Sequence, residues 1–358
     1  MIFRENGCKM FITEIIDVAK DFDRGIDAAA AIIKGGGIVA FPTETVYGLG
    51  ADATCEEAVA SIFAAKGRPS DNPLIVHVGG IEEAAKLVHI TPVAEKLLKI
   101  FWPGPFTAVL KKTALIGDTV TAGLKTAAVR MPDNIYALEL IKRSGCPIAA
   151  PSANSSGKPS PTEARHVYED LKGRIPLILD GGKARVGLES TVCDLTGDVP
   201  VILRPGGITY EMIREAAGEA RLFPGLSRQF SDKEAPPSPG MKYRHYAPKA
   251  EVIVAYAKDK EELAAGLLPL IRREAESGMK TVLLCTVESS KLFGDAEKIV
   301  LGSIRDIGGV ARNLFAAFRK ADELGADRVY FEALPETGMG LAVMNRVKKA
   351  AAQREIRF

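Results

Sequence analysis

The sequence predicts an α/β protein in two domains, and three observations carry that reading. Short apolar runs of strand length are interleaved with longer helical patterns along the chain. A polar, proline-punctuated stretch, Leu222 to Pro248, interrupts them, and beyond it an irregular order of elements becomes a regular alternation. At 358 residues the chain also has material for two cores, because a single core stops growing at about 250–300 residues.

Residues 22–34 read as a helix stopped by Gly35-Gly36-Gly37, and 38–41 as a buried strand ended by Pro42. Thr54 and Glu57 have the spacing of a capping box, predicting a helix through Val59, Ile62 and Phe63 to about Lys66. A strand follows at 74–78. Thr91-Pro92 opens a helix that runs to Phe101, with proline at its first position. Trp102-Pro103-Gly104-Pro105 turns the chain into a strand at 106–110. Strands at 126–130, 148–150, 177–179, 190–194 and 201–204, with helices at 133–143 and 162–171, lack the cadence of a doubly wound domain, so a twisted, mixed sheet is expected. The prolines of the linker make it semi-rigid. After it, strands at 251–256, 280–285 and 327–331 alternate with helices at 259–275, 291–299, 306–324 and 340–350, the pattern of a small parallel sheet flanked by helices. The expected boundaries are 1–215, a linker and possible lid at 216–248, and 249–358.

Composition excludes several classes. With 47% hydrophobic and 26% charged residues the chain is globular. A net charge of +2 argues against a general nucleic-acid coat while permitting a local basic cavity. The five cysteines follow no metal-ligand spacing and read as free thiols of a reducing compartment. Residues 1–20 lack a signal-peptide core, and no apolar run reaches the length of a membrane span, so a cytoplasmic protein is expected.

Two polar segments carry the chemistry. Lys66, Arg68 and Asn72 lie in Ala-Ala-Lys-Gly-Arg-Pro-Ser-Asp-Asn-Pro-Leu, a loop stiffened by Pro69 and Pro73. A lysine point charge, an arginine fork and a neutral amide suit phosphate oxygens. Cations at a helix C-terminus also fit plain dipole complementarity. Ser152, Asn154 and Ser160 lie in Ala-Pro-Ser-Ala-Asn-Ser-Ser-Gly-Lys-Pro-Ser-Pro, directly after a strand, where prolines hold hydroxyls and an amide in one arrangement. Thr43, Glu44 and Thr45 follow another strand end, where clefts of α/β folds are lined, although a threonine-rich turn with structural glycines explains them equally. Arg130 ends an apolar strand and suits a substrate carboxylate, and Arg204 repeats the strand-end pattern. His77 in a strand also reads as a core histidine, and His89 and His166 have no partner at ligand spacing. No Walker-type loop, no early Gly-x-Gly-x-x-Gly and no serine–histidine–acid set is present. Without an evident catalytic base, the pattern points to chemistry by positioning and charge neutralisation, as in phosphoryl and nucleotidyl transfer. An RNA-binding module using the same cations is the competing class.

Taken together, Phe-Pro-Thr-Glu-Thr-Val-Tyr-Gly-Leu at 41–49, Lys-Gly-Arg-Pro at 66–69, Asn-Pro-Leu at 72–74, Trp-Pro-Gly-Pro-Phe-Thr at 102–107, Ala-Pro-Ser-Ala-Asn at 150–154 and Glu-Ser-Thr-Val at 189–192 resemble the L-threonylcarbamoyladenylate synthase, YrdC-like family. The likeness covers about 200 residues in order, and the run Ser238 to Pro248 with the domain after it resembles the longer, two-domain members. It implies a YrdC-like twisted mixed-sheet N-terminal domain and a small Rossmann-like parallel α/β C-terminal domain. The implied reaction joins L-threonine, bicarbonate and ATP into threonylcarbamoyl-AMP and pyrophosphate, for N6-threonylcarbamoyladenosine at tRNA position 37. It further implies Mg2+ held by phosphates and water with no protein metal ligand and handover to a downstream tRNA threonylcarbamoyl transferase, and it leaves a direct contact with tRNA open. The catalytic set would be Lys66, Arg68, Ser152 and Asn154, which with Asn72, Ser160 and Arg204 would hold ATP. Thr43, His77, Arg130 and Ser190 would contact threonine, and Tyr243, Arg244, His245 and Tyr246 would belong to the lid.

Overall fold

The computed structural model describes residues 2–5, 8–226 and 246–358. Two compact units emerge: the first comprises 1–156, 160–185 and 189–243, and the second 157–159, 186–188 and 244–358.

An eleven-stranded mixed sheet organises the first unit. Its order is Arg221–Leu222, Val201–Arg204, Thr191–Asp194, Phe106–Lys111, Thr126–Arg130, Ile75–His77, Ile148–Ala150, Gly48–Asp52, Val39–Phe41, Leu177–Asp180, Glu14–Asp17. Side chains alternate between its faces, and two apolar clusters result. Ala149, Val76, Val129 and Leu110 pack into a cluster that includes Val59, Ile62, Leu97 and Leu98 from the helices Glu56–Lys66 and Pro92–Phe101. Ile148, Ala150, Val39 and Phe41 pack on the other face with Ile26 and Ile33 of Phe22–Lys34 and Leu140 and Ile141 of Ile135–Ser144. Burial on both faces explains why these strands read as near-continuous apolar runs.

The second unit contains a five-stranded parallel sheet ordered Lys298–Gly302, Thr281–Thr286, Arg328–Glu332, Glu251–Tyr256, Glu355–Arg357. Leu263 and Leu267 of Lys260–Glu276 pack against Leu283, Cys285 and Tyr330 in its core.

Several expected elements are corrected. Cys55, not Thr54, caps Glu56–Lys66: the Thr54 hydroxyl and amide both donate to Asp52 Oδ1, at 2.7 and 2.8 Å, in a turn that precedes the helix. The helix expected at 291–299 is instead a short helix Val287–Ser290, a 3-10 turn Lys291–Phe293 and the edge strand Lys298–Gly302, broken at Gly294 (φ 48°). The strands Glu14–Asp17, Gly48–Asp52 and Glu355–Arg357 and the helices Ile81–Leu87, Asp118–Thr121 and Tyr210–Ala217 carried no sequence expectation. They are short or glycine-rich, and pairing and packing with distant segments stabilise them. No described helix is long and apolar enough to cross a membrane.

Candidate active site

The helix Glu56–Lys66 ends because Gly67 adopts the left-handed conformation (φ 60°). This stop places Lys66 inward, only 3% exposed, while Arg68 begins the next loop. The Lys66 Nζ donates to the carbonyl oxygens of Ser152 and Asn154, the latter at 2.5 Å, so one ammonium ties together the two polar segments, 86 and 88 residues apart. The Ser156 amide returns a bond to the Lys66 carbonyl at 3.0 Å. Burial, and next the Arg68 guanidinium, push the Lys66 pKa well below its ordinary value, with Asp170 opposing. An anion arriving here restores the favourable setting of the charge.

Arg68 Nη2 donates to the carbonyls of Asn72 (3.2 Å) and Pro73 (3.3 Å), folding the loop on itself. Asn72 is fully buried, yet neither its amide nitrogen nor its amide oxygen has a hydrogen-bond partner. A buried, unpaired amide is costly, so this one calls for a partner, and a ligand is one that would satisfy it. Ser152 Oγ donates to Asn154 Oδ1 at 2.5 Å, and Asn154 Nδ2 donates to the Ser155 carbonyl at 2.8 Å. The loop 42–47 and the strand after it are stitched to the same segment by Leu49 N to Pro151 O, Ala153 N to Tyr47 O and Tyr47 N to Pro161 O.

A second group forms along one register of the sheet, where His77 pairs with Arg130 on the adjacent parallel strand and Val192 with Arg204. Arg130 donates from Nε to the Gly104 carbonyl at 3.2 Å, and its Nη2 lies 2.7 Å from Glu44 Oε2, with the two side chains 4% and 1% exposed. This is an ion contact without hydrogen-bond alignment, since neither Glu44 oxygen nor Arg130 Nη2 has a directed bond. His77 is buried edge-on to Phe41, with ring centroids 6.0 Å apart, and its Nδ1 has no partner. Burial, and then the Arg130 charge, lower its pKa to about 3, so the imidazole is neutral. Ser190 Oγ lies 2.8 Å from Thr107 Oγ1 and accepts from Arg204 Nη2 at 3.2 Å, while Arg204 also donates from Nε and Nη2 to the Ser190 carbonyl. Ser160 Oγ donates to Glu189, which precedes Ser190.

Phe41 lies across the sheet because the face beneath it is cleared by glycine. A Cβ on Gly50 would stand 2.7 Å from Phe41 Cε1 and 2.6 Å from Ile148 Cγ2. That gap lets Phe41 lie across the sheet towards His77.

The structure thus brings Lys66, Ser152 and Asn154 into one bonded group, keeps Arg68 and Asn72 bonded to each other in the loop that follows Lys66, and joins Ser190 and Arg204 alongside the neighbouring His77 and Arg130. The Thr43 hydroxyl is occupied: it donates to the Val46 carbonyl at 2.6 Å and accepts from the amides of Thr45 and Val46, holding the turn. Tyr246 is buried, its ring stacked on Phe315 at 5.4 Å with the Arg346 guanidinium 5.7 Å from its centroid. Tyr243, Arg244 and His245 lie outside the described residues. Glu44 carried only the expectation of lining a cleft at a strand end, and Thr107 and Glu189 carried none, although all three stand inside the motifs at 41–49, 102–107 and 189–192.

Residues 31–206 match the Sua5, YciO and YrdC family, described as Telomere recombination, and 208–352 match the family described as Threonylcarbamoyl-AMP synthase, C-terminal domain. The threonylcarbamoyl-AMP synthase of Pyrococcus abyssi is 48% identical over 348 residues, 97% of this chain and 100% of that protein. That of Bacillus subtilis is 46% identical over 351 residues, 98% and 99% of the two chains. Among solved structures, Pyrococcus abyssi Sua5 complexed with L-threonine superposes with a TM-score of 0.88 at 47% identity, covering 98% of this chain and 99% of that one. A double-alanine variant of the same protein gives 0.90 at 47% identity, covering 97% and 98%.

Proposed function

The chain belongs to the threonylcarbamoyl-AMP synthase family, in its form with an added C-terminal domain, and on that premise we propose how its own residues divide the reaction. It is a nucleotidyltransferase that forms threonylcarbamoyl-AMP and pyrophosphate from L-threonine, bicarbonate and ATP. Lys66, Arg68, Asn72, Ser152, Asn154, Ser160 and Arg204 hold ATP in this proposal, with Lys66, Arg68, Ser152 and Asn154 nearest the reacting carbamate. His77, Arg130 and Ser190 contact threonine, and Thr43 shapes the turn beside them, its hydroxyl already donating to Val46.

The observation that carries this division is the buried Lys66 ammonium bridging the two polar segments. The threonine amine attacks the bicarbonate carbon with loss of water, and an oxygen of the resulting N-carboxy-threonine attacks the α-phosphorus while pyrophosphate leaves. Lys66 and Arg68 neutralise charge that spreads over the phosphates, an effect of about 3–4 kcal/mol for one aligned donor. Mg2+ enters with ATP. Among the described residues no group of three or more His, Cys, Asp or Glu could hold a metal ion, and the proposed ATP set is cationic or neutral, so phosphate oxygens and water are its fitting ligands.

The proposal extends to 216–248 as a linker between domains 1–215 and 249–358 and as a lid that keeps water from the intermediate. A cytoplasmic location, tRNA position 37 as the product's destination and handover to a tRNA threonylcarbamoyl transferase complete it. The test is pyrophosphate release with mass detection of threonylcarbamoyl-AMP. Adduct requiring all three substrates supports the proposal, and pyrophosphate release independent of threonine overturns it.

A further inference from the structure

We propose that Glu44 is the receptor for the α-ammonium of threonine, so that Glu44 and Arg130 together form a preassembled counterpart to an amino-acid zwitterion. The inference rests on the threonine site proposed above. A carboxylate and a guanidinium are buried side by side, 2.7 Å apart, at 1% and 4% exposure. Pairing in so dry a setting repays desolvation only when further hydrogen bonds complete each ion. Here they do not: both Glu44 oxygens and Arg130 Nη2 lack a directed hydrogen bond.

A bound amino acid completes both. Its carboxylate meets the Arg130 fork, and its ammonium offers three donors to the two open oxygens of Glu44. The neighbouring His77, kept neutral, adds no competing charge and presents an unpaired Nδ1. The ion pair of the free protein is therefore exchanged for two pairs with the substrate, and neither buried charge is left alone at any stage. An acid lacking the amine would leave Glu44 unsatisfied, which makes this residue a selectivity element for α-amino acids.

Calorimetric titration of the full chain with L-threonine and with its deaminated analogue, 3-hydroxybutyrate, tests this, using wild type, Glu44→Gln, Glu44→Asp and Arg130→Lys. Removing one partner of a buried charge pair costs about 30-fold or more in affinity. The expected result is that Glu44→Gln loses at least that for threonine while its affinity for the analogue is unchanged or improved, and Glu44→Asp restores part of the preference. ATP affinity, measured in parallel, reports that each variant is folded. Parallel losses for threonine and the analogue in Glu44→Gln would show that Glu44 only props Arg130, overturning the inference. Unaltered threonine affinity in Arg130→Lys would instead overturn the threonine site itself, and the two failures are thereby distinguished.

Discussion

Replacing Lys66 by Met separates charge from scaffold. The side chain is 3% exposed, and its ammonium donates to two backbone carbonyls, those of Ser152 and Asn154. Each hydrogen bond from a charged donor contributes about 1.5–3 kcal/mol, and a buried carbonyl deprived of its donor costs about 1–3 kcal/mol. Against this, methionine fills nearly the same volume and removes an ammonium whose effective desolvation penalty is several kcal/mol. The opposing contributions cancel only in part, leaving a stability loss of about 2–4 kcal/mol. The chemical step has no such compensation, because methionine offers the triphosphate no charge. Pyrophosphate release should therefore fall about 100- to 1,000-fold, or about 3–4 kcal/mol. Urea unfolding and pyrophosphate release on the same preparation check both halves. A variant destabilised by more than about 4 kcal/mol would show Lys66 to be chiefly a strut between the two segments. Turnover within threefold of wild type would remove it from phosphate chemistry altogether.

Three further outcomes follow from the same geometry. Asn72→Ala removes an amide without a hydrogen-bond partner, so urea unfolding should show a cost below about 1 kcal/mol while the KM for ATP rises about tenfold, the equivalent of one hydrogen bond; equal ATP affinity would contradict the role given to it. Gly50→Ala forces a Cβ to 2.6 Å from Ile148 and 2.7 Å from Phe41, costing about 1–3 kcal/mol and shifting Phe41 against His77. The KM for threonine should consequently rise more than that for ATP, and an equal rise in both would refute the link. Because the folded His77 has a pKa of about 3 against 6.5 unperturbed, the unfolded chain binds its proton first as pH falls. This contribution to stability is present above pH 6.5, declines by about 1.4 kcal/mol per pH unit from there towards pH 3, and levels off below. His77→Asn should show a correspondingly shallower loss across that window in denaturant melts, and identical slopes would count against a buried neutral imidazole.

Much of this protein was determined by local sequence. Helices with strong periodicity and clear ends, such as Phe22–Lys34 and Pro92–Phe101, lie where glycine stops and the Thr91-Pro92 start place them, because caps act within a turn. The two polar segments were equally legible, since prolines and strand ends mark them without reference to the rest of the chain. What tertiary structure alone decided is who meets whom. Gly48–Asp52 is a strand because Val39–Phe41 and Ile148–Ala150 pair with it on either side, a stabilisation that its glycines do not announce. Lys298–Gly302 is an edge strand because Thr281–Thr286 offers it a parallel partner. Glu44 meets Arg130 across 86 positions of sequence, and Lys66 bridges Ser152 and Asn154 only once helix end and strand end converge. Capping and periodicity are short-range effects written in neighbouring residues, whereas ion pairs and sheet register depend on positions brought together by burial, which single-residue chemistry does not encode.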